Sequence, residues 1–312
     1  MRSRFRTIVK DEPDLRHGLR RVILGKDVID LQDQNAWLRS LLHRQATSGT
    51  AATSTSPSPT TEAHHTDGID RYLNLLKQVL TRSLFLDDRP GRDSAALHEL
   101  RSKREGGLGI PDDAETMIGH LRLDNLQQCL TTVLDEQIPG DALEAGVWRG
   151  GACIFMMGML EALGDTDRRV FVADSFEGLP VPDRATYPKE TRDLSTATAL
   201  AVDLDEVKRN FARYGLLNER VVFLEGWFKD TLATAPIEAL SILRVDGDYY
   251  ESTLQALDAL YDKVSPGGFV IIDDYWSLKP CREAVTDFLT KRMLEVDIQP
   301  VDSTCVYWRI PG

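Results

Sequence analysis

The chain has 312 residues, 42% hydrophobic and 28% charged, and its 37 Lys+Arg against 49 Asp+Glu leave a formal net charge of −12. That length and composition describe one large or two ordinary globular units able to bury a core, and the acidic balance argues against a nucleic-acid binder, which needs a basic face. An apolar run such as Ala152–Leu160 falls far short of the ~20 residues that cross a bilayer. The Arg-rich start lacks the apolar stretch of a secretory leader, so no membrane span and a cytoplasmic location are expected.

Cys129, Cys153, Cys281 and Cys305 are scattered without a C-x-x-C pair, which predicts reduced, buried thiols rather than a disulfide scaffold or zinc site. All six histidines precede residue 121, so any chemistry in the C-terminal half proceeds without imidazole.

In chain order, residues 1–45 form a charged N-terminal extension. There Leu24, Val28, Leu31, Asn35, Leu38 and Leu42 follow alternating steps of four and three, a short heptad seam with Asn in a core slot. It predicts a dimerising helix and a homo-oligomer, dimer or higher; the alternative is a helix packed on its own body. Residues 46–67 are a Ser/Thr/Ala/Pro tract with almost no large apolar side chains, expected to be a disordered linker. A catalytic-size domain follows over 68–312. Its first part, 68–136, reads as a helical cap: an amphipathic helix over 69–84, a Gly/Asp/Pro-rich loop over 85–115 and a second helix over 116–136.

From 137 onward, strand-like runs at 142–147, 169–173, 220–225, 240–245 and 267–272 alternate with helical stretches at 151–163, 203–215, 251–263 and 280–292. Continuous apolar strands between helices predict an α/β fold around a mostly parallel sheet covered on both faces. A last pair of strands, near 294–300 and 304–309, predicts an antiparallel hairpin at one edge. Ligands of such sheets lie beyond the carboxyl ends of the strands, so candidate functional residues are those that follow each run.

The first strand leads into Glu144-Ala145-Gly146-Val147-Trp148-Arg149-Gly150-Gly151. A dinucleotide fingerprint would place glycine where Trp148 stands, so the turn speaks against a nicotinamide oxidoreductase. E-x-G-x-x-x-G after strand one is instead the pattern of S-adenosylmethionine (SAM) enzymes, whose cofactor crosses the glycines; the alternative is a turn made for tight strand–helix packing. The second strand ends in Asp174-Ser175, where a carboxylate can accept ribose hydroxyl hydrogens or cap a helix. The third is followed by Gly226-Trp227-Phe228, where an aromatic can lie against adenine or belong to the core.

The fourth and fifth strands end in acids, Asp246 and then Asp273-Asp274. If these strands are neighbours, three carboxylates converge and repel one another unless a cation sits among them. An oxygen-only set favours a hard ion, Mg²⁺ ahead of Mn²⁺ or Ca²⁺, over zinc. The alternative is that these acids cap the helices that follow. Tyr249, Glu251, Tyr275 and Trp276 lie close enough in sequence to line an acceptor pocket, with ordinary packing or helix-start roles as the alternative.

Taken together these motifs resemble the macrocin O-methyltransferase family, metal-dependent SAM enzymes that methylate sugar hydroxyls on macrolides and other natural products. The resemblance spans roughly residues 69–312. It rests on Thr116-Met117-Ile118-Gly119 with Arg122-Leu123-Asp124-Asn125-Leu126, the Glu144–Gly151 turn, and Asp174-Ser175-Phe176-Glu177-Gly178-Leu179-Pro180. It rests further on Asp246-Gly247-Asp248 with Tyr250-Glu251-Ser252-Thr253, Ser265-Pro266-Gly267-Gly268 with Asp273-Asp274-Tyr275, and Val306-Tyr307-Trp308-Arg309.

The resemblance implies a class I, Rossmann-like methyltransferase fold: a mostly parallel seven-stranded sheet, a C-terminal antiparallel hairpin and helical N-terminal additions. It implies SAM held by the Glu144–Gly151 turn and Asp174, with Thr116, Met117, Ser175 and Gly226–Phe228 beside it. It also implies Mg²⁺ on Asp246, Asp273 and Asp274, Asp246 doubling as general base, and a small-molecule glycoside as acceptor. The chain departs from the family at Tyr249, where Leu is usual, and in residues 1–67, which have no counterpart. Residues 85–115 and 181–200, which line or cover the acceptor in the family, are not matched, so a phenol or catechol acceptor stays open, as does a non-catalytic scaffold.

Overall fold

The computed structural model describes residues 61–86 and 93–312. Helices α1 (Thr61–Leu80), α2 (Ser94–Glu105) and α3 (Gly119–Asp135) precede the sheet. The strands are β1 (Asp141–Ala145), β2 (Val170–Asp174), β3 (Val221–Glu225), β4 (Leu240–Val245), β5 (Val264–Ile272), β6 (Gln299–Pro300) and β7 (Val306–Arg309). Between them run α4 (Gly151–Ala162), α5 (Leu204–Arg213), the single turn α6 (Phe228–Thr231), α7 (Tyr250–Leu260) and α8 (Lys279–Lys291).

The seven strands form one sheet in the order β3-β2-β1-β4-β5-β7-β6. The first five are parallel, and β7 runs antiparallel between β5 and β6, so the sheet is the mostly parallel one with a terminal hairpin that the strand–helix alternation predicts. The two-residue periodicity of the strands divides the core. Ala142, Val170, Val172, Ile242, Phe269 and Ile271 pack under α1, α3, α4 and α5. Leu143, Phe171, Leu243, Val245, Val270 and Ile272 pack under α7 and α8 on the opposite side. The order changes direction between β1 and β4, which opens a crevice beyond their carboxyl ends.

Two details depart from expectation. The 85–115 stretch contains helix α2, with Asp93 accepting from the Ala96 N–H as its N-cap; Gly107 and Gly109 punctuate only its end. Helix α1 reaches back to Thr61, so its first residues fall within the tract read as linker up to 67. The heptad seam at 24–42, and the oligomer it predicts, lie outside the described residues. All four cysteines are buried and free. No helix among the described residues is long and apolar enough to cross a membrane.

Candidate active site

Beyond the strand ends lies a cavity of about 530 Å³, within the size range of small-molecule sites. Gly146 and Trp148 border it after β1, Asp174 and Ser175 after β2, Trp227 and Phe228 after β3, Asp246 and Asp248 after β4, and Asp273 and Asp274 after β5. Met117, Arg122 and Ile110 enter from the helical cap. Residues 178–200, a long segment with a single 3₁₀ turn, roof the cavity through Leu179, Val181, Leu194, Ala197 and Leu200.

The glycine turn is built by close approach. Gly146 has φ +90, and a Cβ there would stand 2.0 Å from the Asp246 carbonyl oxygen, so only glycine lets β1 and β4 meet at the crevice. Gly151 is likewise pressed on Glu115, whose carbonyl would lie 2.5 Å from an added Cβ. Gly150 caps α4 against Val207. Thus Gly146 borders the cavity, while Gly150 and Gly151 seat the helix behind it.

Left-handed backbone at a non-glycine residue costs on the order of 1–3 kcal/mol. It occurs at Trp148 (φ 49), Phe176 (φ 58) and Asp248 (φ 59), just after β1, β2 and β4. At Asp174 the carboxylate organises two loops: Oδ2 accepts from the Val147 N–H at 2.8 Å and Oδ1 from the Phe176 N–H at 2.9 Å. The Ser175 hydroxyl also lies 3.4 Å from Oδ1, and the residue borders the cavity. Burial pushes this carboxyl upward against the pull of those N–H groups. The Ser175 hydroxyl donates to the Gly178 carbonyl and closes the turn into the roof.

One oxygen of each of Asp246, Asp273 and Asp274 lies within 4.8 Å of the others. The trio rests on two buried arginines that the sequence reading did not single out as site residues. Arg244 of β4 pairs with Glu144, Asp273 and, at 2.9 Å, Asp246. Arg122 of α3 pairs with Asp273 and, at 2.7 Å, with Asp302 of the terminal hairpin. Both guanidiniums stay cationic because their acidic neighbours outweigh burial.

Two positive charges face six acids: Glu144, Asp246, Asp248, Asp273, Asp274 and Asp302. Burial, reinforced by Asp273 and opposed by Arg244, drives the Asp246 carboxyl well above the usual range. Burial with Asp274 and Asp246 does the same to Asp248. The six acids outnumber the two arginines, and the donor set at the rim is oxygen only. A hard divalent cation fits these residues.

Several expected site residues stand elsewhere. Glu144 is 2% exposed and turned into the core, where its carboxylate meets Arg244 and accepts from the Cys153 thiol at 2.9 Å. Thr116 is buried beside the cap, and Gly226 turns the chain after β3 without bordering the cavity. Tyr249 does not line the cavity: its ring is fully buried beneath the roof. Tyr275 and Trp276 pack edge to face at 5.0 Å against the α7–α8 side of the core. Glu251 does border the cavity, together with Gln255 one helical turn on, whose amide donates to it at 2.9 Å. Asp248, Gln255 and Lys229 were not expected at the site. Only Asp248 gave a signal, its place two residues after Asp246.

Residues 69–310 match the family model described as Macrocin-O-methyltransferase (TylF). A Streptomyces olivaceus relative, 8-demethyl-8-(2,3-dimethoxy-alpha-L-rhamnosyl)-tetracenomycin-C 4'-O-methyltransferase, is 47% identical over 254 residues, 78% of this chain and 94% of its own. Mycinamicin III 3''-O-methyltransferase of Micromonospora griseorubida is 44% identical over 248 residues, 78% of this chain and 97% of its own. Among solved structures, the O-methyltransferase NovP superposes with a TM-score of 0.72 at 44% identity, covering 78% of this chain and all of NovP (100%).

Proposed function

The chain belongs to the macrocin O-methyltransferase family, and on that premise we propose that it moves a methyl group from SAM to a sugar hydroxyl of a glycosylated small molecule, assisted by Mg²⁺. One observation carries the reading: three carboxylates converge at the rim of the cavity that the glycine turn and Asp174 also border. The two relatives named for 4'-O- and 3''-O-methylation support a sugar position as the acceptor.

SAM supplies a methyl already activated by its sulfonium charge. Mg²⁺, when bound, supplies a field that favours the deprotonated form of a neighbouring hydroxyl. Asp246, Asp273 and Asp274 would hold it, one oxygen each. Asp174 borders the cavity where a carboxylate can accept ribose hydroxyl hydrogens, and Trp227 and Phe228 offer aromatic faces to adenine. Glu251 and Gln255 offer a hydrogen-bonding edge to the hydroxyl-rich acceptor. A vicinal diol suits the acid rim because its two oxygens fix which one attacks.

The proton of the attacking hydroxyl needs a carboxylate. Asp246 is the one the family resemblance points to, but Arg244 binds its Oδ2. Asp248 lines the same rim, pairs with no arginine or lysine among the described residues and is hydrogen-bonded to Asp274, so a proton taken up there is shared between two acids; this favours it as proton acceptor and leaves Asp246 to hold the ion.

The test is turnover of the purified protein with SAM and a panel of glycosides and catechols, with and without EDTA. The expected result is one methyl added on a sugar, activity lost in EDTA and restored by Mg²⁺, and affinity for the SAM product retained throughout. Methylation of catechols alone, or full turnover in excess EDTA, overturns the reading.

A further inference from the structure

The roof over the cavity is tied at four places. The Trp148 indole N–H donates to the Ala199 carbonyl at 2.8 Å, fastening the roof to the glycine turn. Glu190, 2% exposed, accepts from the Arg192 N–H at 2.8 Å and from the Tyr250 N–H at 2.7 Å, so a roof carboxylate caps the first turn of α7. The third tie is Tyr249. Its ring is wholly buried, and its hydroxyl accepts the Leu194 N–H at 2.5 Å. Outside the cavity, Asp287 of α8 binds both Lys189 and, at 2.8 Å, the Tyr250 hydroxyl, securing the far side of the roof.

Leu194 itself lines the cavity, and Tyr249 directly follows the turn that carries Asp246 and Asp248. Of these ties, the Tyr249 hydroxyl is the one that joins the turn of the acid rim to Leu194 in the apolar wall of the cavity.

We propose that Tyr249 is a specificity-determining positioning residue: by holding Leu194 it fixes the height of the acceptor compartment without touching cofactor or acceptor. This rests on the cavity being the methyl-transfer site. Removing the hydroxyl leaves a backbone donor unpaired and lets the roof lift. An unmade hydrogen bond of this kind is worth about a fivefold to hundredfold change in an equilibrium.

The experiment compares wild type with Tyr249→Phe, Tyr249→Leu and, away from the cavity, Asp287→Asn. Steady-state kinetics, calorimetric affinity for the SAM product, and tryptic cleavage after Arg184, Lys189 and Arg192 are followed together. For both Tyr249 variants the acceptor KM should rise about fivefold or more, kcat should fall less than KM rises, and product affinity should stay within twofold. Cleavage in the roof should quicken, and Asp287→Asn should move both readouts in the same direction by less.

An unchanged acceptor KM with unchanged cleavage overturns the proposal, as does a parallel loss of product affinity, which marks a merely structural role. If Tyr249→Leu fails to fold, Tyr249→Phe decides: acceptor KM and cleavage that stay at wild-type values overturn the proposal. A wild-type protein that transfers no methyl group to any acceptor overturns the functional reading instead, and the cleavage rates still test the tie.

Discussion

Glu144 and Arg244 are register partners on the two central parallel strands, and their side chains form an ion pair where both residues are at most 2% exposed. Charges are this deep because Arg244 also serves Asp273 and Asp246, which face the cavity. The pair is the inner end of a chain of charges that surfaces at the acid rim.

Arg244→Met should therefore destabilise the fold by about 3–5 kcal/mol, since it strands three carboxylates at once. Glu144→Gln should cost less, because Arg244 keeps two partners. Urea unfolding of both variants checks the order; equal costs would mean that Arg244 serves Glu144 alone.

Asp302 gives the acid side of the stability curve. Burial would raise its carboxyl, but Arg122 and the N–H groups of Cys305 and Thr304 outweigh burial and hold it below the usual range. Its folded value is lower than its unfolded one, so its contribution is complete above about pH 4 and fades as pH falls through the lower value. Asp302→Asn should lower stability at neutral pH by about 3–5 kcal/mol and flatten the loss on acidification. Melting curves from pH 7 down to pH 2 check this.

Asp246→Asn and Asp248→Asn should part company. The first should weaken Mg²⁺ binding by calorimetry and slow methyl transfer as a consequence. The second, which touches the ion set only through its hydrogen bond to Asp274, should weaken Mg²⁺ binding less than the first and lower the single-turnover rate by about 10²–10⁴-fold, the usual worth of a general base. If Asp248→Asn turned over normally, the proton would have to leave by way of Asp246.

Gly146→Ala should damage binding and stability together. The added methyl collides with the Asp246 backbone at a φ of +90, and neither side of the contact can swing away. Lower melting temperature with weaker SAM-product affinity is the expected pair of results. An alanine variant with wild-type affinity would show that β1 and β4 can separate freely.

The sheet was legible because buried parallel strands are nearly uniform apolar runs, and the acids mark where each run stops. The arginines were not. Arg244 interrupts an apolar strand as a solvent-facing residue would, and its two buried partners, Asp273 and Glu144, lie 29 and 100 residues away in sequence. Helix α2 was hidden by its polar sequence, which offers little apolar periodicity. Tyr249 misled because its neighbours in sequence are cavity residues, whereas the turn into α7 sends its ring inward. Glu144 misled similarly: its side chain shares the strand face of Ala142, not the crevice.

The contact between Arg122 and Asp302 has a consequence for biosynthesis. The two residues are 180 positions apart, so at 5–20 residues per second the arginine leaves the ribosome roughly 10–35 s before its carboxylate does. Strands β1 to β5 can assemble in that interval, but the hairpin that braces Arg122 arrives last. A nascent chain stalled short of it would carry the acids of the rim with Arg244 in place but with Arg122 missing the carboxylate that braces it.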